Sequence, residues 1–172
     1  MYNRIRGSSK QILRDKFGDI IITEGGKEVP LDALPERPEV SFAYEDPKPK
    51  LPVMTAFHPQ RWQYMRMKYL PREASGKQDL QAKLGDLHNA RADTIFEKFS
   101  FRNSILHRRC IIPLEGFYDF QGRGKKRNGK EDNQCHYIDL RDGELFYAAG
   151  IWDVCDGVEG FAIITTDANP LM

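Results

Sequence analysis

The chain is poor in cysteine, and what it has is badly placed for a framework. Its 172 residues hold three, Cys110, Cys135 and Cys155, an odd count at wide spacing. No CxxC pair occurs and no Cys/His cluster has zinc spacing, so neither a disulfide scaffold nor a structural metal site is readable. Reduced thiols in a cytosolic protein are the expectation. The four histidines, His58, His88, His107 and His136, form no HExxH-type motif. Long apolar runs are also lacking, and none approaches the roughly 20 residues of a membrane span. The N-terminus "MYNRIRGSSK" has no apolar core of signal-peptide length. A large charge of one sign is missing too. With a net charge of +1, binding to nucleic acid would have to come from a local basic patch.

What is present suits one globular domain over residues 1–172. Apolar residues make up 40% and charged residues 30% of the chain, enough for a core and too ordered in composition for disorder. "SSKQILRDKFG" predicts a short helix, with Ser8 or Ser9 as cap, Ile12, Leu13 and Phe17 as an apolar stripe, and Gly18 as the stop. "DIIITEGGKEV" reads as a strand and a Gly-Gly turn. Residues 26–50 are rich in Pro, Glu and Asp and read as a surface connection. "LPVMTAF" and "WQYMRMKYLP" predict strands. "PREASGKQDLQAKLGDLH" reads as a polar, mobile segment. "ADTIFEKFSFRNSILHRR" carries helical signals with Ser100 as a cap. From Cys110 onward, "RCIIPLEGFYDFQ", "CHYIDL", "ELFYAAGIW" and "GFAIITTDA" are four apolar runs separated by turn signals. No repeat is visible. The fold class is therefore α+β, a mostly antiparallel, barrel-like β core with a few short helices.

Three places have residues suited to chemistry. Glu115 and Asp119 flank Gly-Phe-Tyr in an apolar run. Alternation on a strand puts Glu115, Phe117 and Asp119 on one face unless Gly116 marks a bulge. A carboxylate among apolar groups is costly to ionise, and its pKa rises toward a range useful for proton transfer. Each carboxylate could equally cap a turn or pair with an arginine. Asn89 and Arg91 lie two apart in "HNARADT", so an extended segment aims both the same way, toward an anionic or carbonyl-bearing ligand. The alternative is a helix start capped by Asn89. Cys110 follows Arg108 and Arg109 but opens an Ile-Ile run, which makes it a core cysteine rather than a nucleophile. The basic run at 122–134, with Lys125, Lys126, Arg127 and Lys130, is either a solvated loop or a phosphate-binding patch.

Taken together, "NARADTIFEKFSFRNSILHRRCIIPLEGFYDF" resembles the signature of the SRAP family, the SOS response-associated peptidase domain. That signature reads Asn-Ala-Arg-Ala-Glu-Thr, then Ser-Phe-Arg, then Arg-Arg-Cys-Leu-Ile-Pro-x-x-Gly-Phe-Tyr-Glu-Trp. "AAGIWD" and "FAIITTDAN" match its later strands, and "FAYEDPKPKLPVMT" resembles its Pro-rich lead into a strand. The likeness runs from 88 to 121 and from 145 to 169. It implies a sensor of abasic sites in single-stranded DNA, working by covalent capture of the sugar aldehyde through an N-terminal cysteine that also processes its own N-terminus. It further implies Asn89 and Asp119 as catalytic residues, with Asp119 in the place of the family glutamate. Arg4 and Arg91 would be DNA-binding residues, and Trp62 and Tyr69 would be aromatics that stack on bases if they are not core. Glu115 would be structural. No metal or organic cofactor is implied, and the expected protein is a cytoplasmic monomer, nucleoid-associated in a bacterium. Rival functions are a cysteine peptidase acting on other chains and a non-catalytic single-strand-binding remnant.

Three departures from the family pattern accompany the likeness. The chain reads Met1-Tyr2-Asn3-Arg4, so tyrosine or a lost residue stands where the family has cysteine. Asp119 is one methylene shorter than glutamate, a change in reach of about 1.5 Å. The His-x-Arg-Met-Pro segment that carries a catalytic histidine in the family does not occur in these 172 residues.

Overall fold

The computed structural model describes residues 4–36, 39–41, 48–59, 61–125, 129 and 131–167. Strand β1 (Arg4–Gly7) runs straight into helix α1 (Lys10–Phe17). The helix begins where the sequence says it should. Ser9 is extended, and its Oγ accepts the Ile12 N–H at 3.3 Å. Gly18, at φ 69°, ends it by donating its N–H to the Arg14 carbonyl. Strands β2 (Ile22–Glu24) and β3 (Lys27–Val29) form the expected hairpin across Gly25-Gly26, both at positive φ, as a tight primed turn requires.

Residues 26–50 are not simply a surface connection. They include β3, a 3-10 turn at Leu31–Ala33, a buried Leu34, and β4 (Glu39–Ser41), which pairs with β1. The polar stretch after Leu70 is likewise ordered. It forms a 3-10 turn at Arg72–Ala74 and helix α2 (Gln78–Leu84). Its polarity reflects exposure of one side only: Ala74 is fully buried, and the Arg72 guanidinium is paired with Asp153. Helix α3 spans Arg102–His107, with Phe101 and not Ser100 at the N-cap and no side-chain cap. The Ser100 carbonyl instead accepts the Tyr69 hydroxyl at 2.7 Å.

The remaining strands are β5 (Lys50–Thr55), β6 (Trp62–Arg66), β7 (Asn89–Arg91), β8 (Arg109–Lys125), β9 (Glu131–Asp139), β10 (Phe146–Cys155) and β11 (Val158–Thr165). Five of them close on themselves. β5 pairs with β6, β6 with β11, β11 with β10, β10 with β8, and β8 with β5 again. Closure leaves these strands without a free edge along the ring. The fold is thus mostly β and barrel-like, with short helices, in line with the expected α+β class. Leu51, Val53, Met65, Ile112 and Phe161 fill the interior. Outside the ring, α3 packs through Phe101 on Ile151 and Ala162. Near α1, Phe17 packs with Ile22, Leu34 and Trp62.

Strand β8 does two jobs along its 17 residues. Arg109–Leu114 belongs to the barrel. Gly116–Lys125 continues as a ribbon with β9, whose described residues lead to the basic tip. Residues 126–128 and 130 of that tip, and so Lys126, Arg127 and Lys130, lie outside the described residues.

Candidate functional site

The site begins with a bulge. β1 pairs Arg6 with Gly116 but Gly7 with Leu114, leaving Glu115 as an extra residue on β8. Before the bulge, even-numbered residues Cys110, Ile112 and Leu114 face the barrel interior. After it the phase flips, and Phe117 packs on the same core. Asp119, two residues on, therefore shares the inward face of Phe117, whereas Glu115 does not. Glu115 is turned to the β1–α1 corner. Its Oε1 accepts the Ser9 N–H at 2.8 Å, and its Oε2 lies 3.4 Å from Arg6 Nε. Gly116 lets the Tyr137 ring lie over it; a Cβ there would occupy the same space and push the ring aside.

An apolar cavity of ≈ 340 Å³ opens beside this bulge, lined by Ile5, Leu114, Phe117, Phe146 and Ile163 among others. Its walls come from β1, β8, β10 and β11; β1 and β8 each carry a candidate residue, and β11 pairs with β7, which carries a third. Ile5 follows Arg4 on β1. Phe117 precedes Asp119 on β8. Ile163 on β11 is the register partner of Asn89 in a parallel ladder, so the two side chains share a face. The Arg4 backbone pairs with Tyr118; its side chain lies outside the described residues.

Asn89 is extended, which sets aside the helix-cap reading. Ala90 points the other way, into the cluster around Tyr69 and Ile151. Both Asn89 Oδ1 and Nδ2 are shut off from solvent and have no hydrogen-bond partner among the described residues. Occluding an amide without partners costs about 1–3 kcal/mol, so the geometry points to a ligand that completes it. Arg91 shares the Asn89 face, but its guanidinium is already clasped. It donates to Asp93 at 2.8–3.2 Å and to Asp167 at 2.9 Å. Hydrogen bonds donated to the two carboxylates raise its pKa further, and the same guanidinium lowers that of Asp93.

Asp119 is half-buried, and its Oδ1 accepts the Phe120 N–H at 2.8 Å. Directly opposite it on β9 stands His136. Cys110 is a core residue as expected, and burial pushes its thiol pKa up. Two aromatics are placed differently from the stacking role. Trp62 is 3% exposed and packs 5.0 Å from Phe17. Tyr69 is fully buried; its hydroxyl is held by the Ser100 carbonyl and shares a 2.9 Å hydrogen bond with Ser104. Neither ring offers a face to a base, and both lie in the core, the alternative the sequence left open. Among the described residues, no group of three or more His, Cys, Asp or Glu could hold a metal ion, and no helix is long and apolar enough to cross a membrane.

The family model described as SOS response associated peptidase (SRAP) matches residues 12–172. The chain belongs to the SRAP family. Among curated SRAP relatives, the abasic site processing protein YoqW of Bacillus subtilis is 38% identical over 89 residues, which are 49% of this chain and 38% of YoqW. The abasic site processing protein HMCES of Gallus gallus is 29% identical over 100 residues, 47% of this chain and 30% of HMCES. This chain thus spans well under half the length of either. A crystal structure of a Bacteroides thetaiotaomicron protein superposes with a TM-score of 0.59 at 34% identity, over 72% of this chain and 52% of that one.

Within this SRAP domain, the sequence left several site features unmarked. The Arg91–Asp167 pair joins residues 76 apart, and nothing local announces it. His136 opposes Asp119 only through hairpin register. The apolar cavity follows from the bulge, for which Gly116 was the available signal.

Proposed function

We propose that this SRAP domain recognises abasic sites in single-stranded DNA as a monomer, in the cytoplasm or at the nucleoid. The observation that carries the reading is the occluded Asn89 amide, without a hydrogen-bond partner among the described residues, on the strand paired beside Ile163 of the apolar cavity. A ring-opened abasic sugar brings an aldehyde and hydroxyls, which can satisfy an amide donor and acceptor together. Asp119 serves as proton shuttle, and Arg91 meets a phosphate by exchanging it for Asp167.

The family reaction needs an α-amine and a thiol on one residue. The amine adds to the aldehyde carbon and water leaves, giving an imine. The thiol then adds across the C=N bond, its proton passing to nitrogen, and a five-membered ring closes. With Tyr2 in that place, the amine, of pKa near 8, forms only the reversible imine. A protein whose processed N-terminus is Tyr2 is therefore expected to bind abasic DNA without a stable cross-link, and one carrying a cysteine there to form it. Peptidase action on other chains through Cys110 is disfavoured by the burial of that thiol.

The test uses single-stranded oligonucleotides with and without one abasic site. The wild-type chain is expected to prefer single strand over duplex, to weaken with salt, to favour the abasic strand, and to leave no shifted band on denaturing electrophoresis. Tyr2→Cys, with Met1 removed, is expected to produce that band. Equal affinity for duplex and single strand, with no salt slope, would refute the DNA reading. A stable adduct from protein shown by mass to carry Tyr2 would refute the role given to the N-terminus.

A further inference from the structure

The segment leading away from Arg91 carries three large exposed apolar side chains within eleven residues. Phe96 is 64% exposed, Phe99 49% and Leu106 58%. Large apolar side chains gathered at one place on a surface mark a contact site more often than chance exposure. These three line one depression of ≈ 430 Å³ with Glu73, Arg102 and Asn103. The Arg102 guanidinium lies 5.7 Å from the Phe99 ring centroid. Asn103 Nδ2 donates to Glu73 Oε1 at 2.8 Å, which fixes an amide and a carboxylate at the depression's wall. None of these groups belongs to the cavity beside Asn89.

We propose that this depression takes one unstacked nucleobase of the strand whose backbone passes Arg91. The inference rests on the reading above and deepens it by naming a second contact point. An apolar ring face, a guanidinium beside it and a fixed amide–carboxylate pair are what a splayed-out base needs. The base stacks on the exposed Phe96 face, and its polar edge meets Asn103 and Glu73. Charge fits the same occupant: Lys98, Arg102 and Arg109 are exposed along this stretch against Glu97, with Asp93 taken up by Arg91 and Glu73 by Asn103, so phosphates on either side of the base find cations. Continuity does the rest, because only four residues separate Arg91 from Phe96.

The test places 2-aminopurine, whose emission drops on stacking, at successive positions of a single-stranded oligonucleotide, in abasic and undamaged versions. Binding of the wild-type chain is expected to change the emission at one position, at a fixed offset from the abasic site. Phe96→Ala and Phe99→Ala are expected to abolish that change and to weaken binding of both strands by about 5- to 150-fold, with thermal midpoints unmoved because both rings are exposed. Asn89→Ala, by contrast, should weaken the abasic strand alone. Wild-type binding that the phenylalanine variants leave within about twofold would overturn the pocket and leave the abasic reading standing. No binding of either strand by the wild type would overturn the reading on which the pocket rests. A concentration-dependent dimer that the same variants dissolve would overturn the nucleobase as occupant.

Discussion

Replacing Asp153 by alanine should unfold this protein more readily than any surface change near the site. The carboxylate is fully buried. It accepts the backbone N–H of Arg72 at 3.0 Å and of Val154 at 2.9 Å, and it pairs with Arg72 Nε at 2.9 Å and Arg108 Nε at 3.1 Å. The Arg72 side chain is half-exposed and regains water when the partner goes, so its share is small. Arg108 is 7% exposed and does not. A buried charge left without its partner costs about 3–5 kcal/mol. With a urea slope of about 2–3 kcal/mol/M, the midpoint should fall by about 1–2.5 M. Asp153→Asn should recover only part of this, because its amide nitrogen must face donors on one side. The double variant Asp153→Leu with Arg108→Met should recover most of it, since removing both charges leaves none stranded. The assay is urea unfolding followed by circular dichroism. A loss under about 1 kcal/mol in Asp153→Ala, or no recovery in the double variant, would refute the assignment of this pair as the cause.

Three further outcomes follow from the site. Asp167→Asn frees Arg91 of one competitor, so affinity for single-stranded DNA should rise several-fold and the salt slope should steepen by up to about 0.7; fluorescence anisotropy across a salt series checks it, and weaker binding would contradict the clasp. In a Tyr2→Cys background, Asp119→Asn should slow cross-linking by about 10²-fold or more with little effect on stability, whereas Glu115→Gln should do the reverse; time courses on denaturing gels with parallel melts would show a reversal of roles. His88 is held below its ordinary pKa of 6.5 by burial. The unfolded chain then binds the extra proton first, so stability falls as pH drops below about 6.5 toward the folded value. His88→Gln should flatten that stretch of a melting-temperature profile, and an unchanged profile would count against it.

Local signals and distant ones were legible to different degrees. The cap at Ser9, the Gly25-Gly26 turn and the four β runs after Cys110 are each written in a few adjacent residues, and the chain adopts them. The order after Leu70 was hidden because its anchors are remote. Arg72 is fixed by Asp153, 81 positions on. Trp62 opens β6 and Tyr69 follows it in an isolated bridge with Leu87, and an aromatic in so apolar a run has no local mark that separates core from surface. Asn89 and Asp119 stood out by residue type and likeness, yet the strands that carry them, β7 and β8, meet only through β11 and β10. The clasp on Arg91 depends on Asp167, whose charge in isolation says nothing about its target.

The closed ring also constrains how the molecule is made. Its last strand in sequence, Val158–Thr165, lies between Trp62–Arg66 and Phe146–Cys155. While the ribosome has yet to release that strand, the growing chain has no way to seal the barrel. Leu51, Val53, Met65 and Ile112 must wait with their apolar faces open. Such contacts between distant parts of a chain are slow to form, and open sheet edges in the meantime invite association. Synthesis of this protein should therefore lean on chaperone binding late in translation, and stalled nascent chains ending before Val158 should be protease-sensitive where the released protein is not.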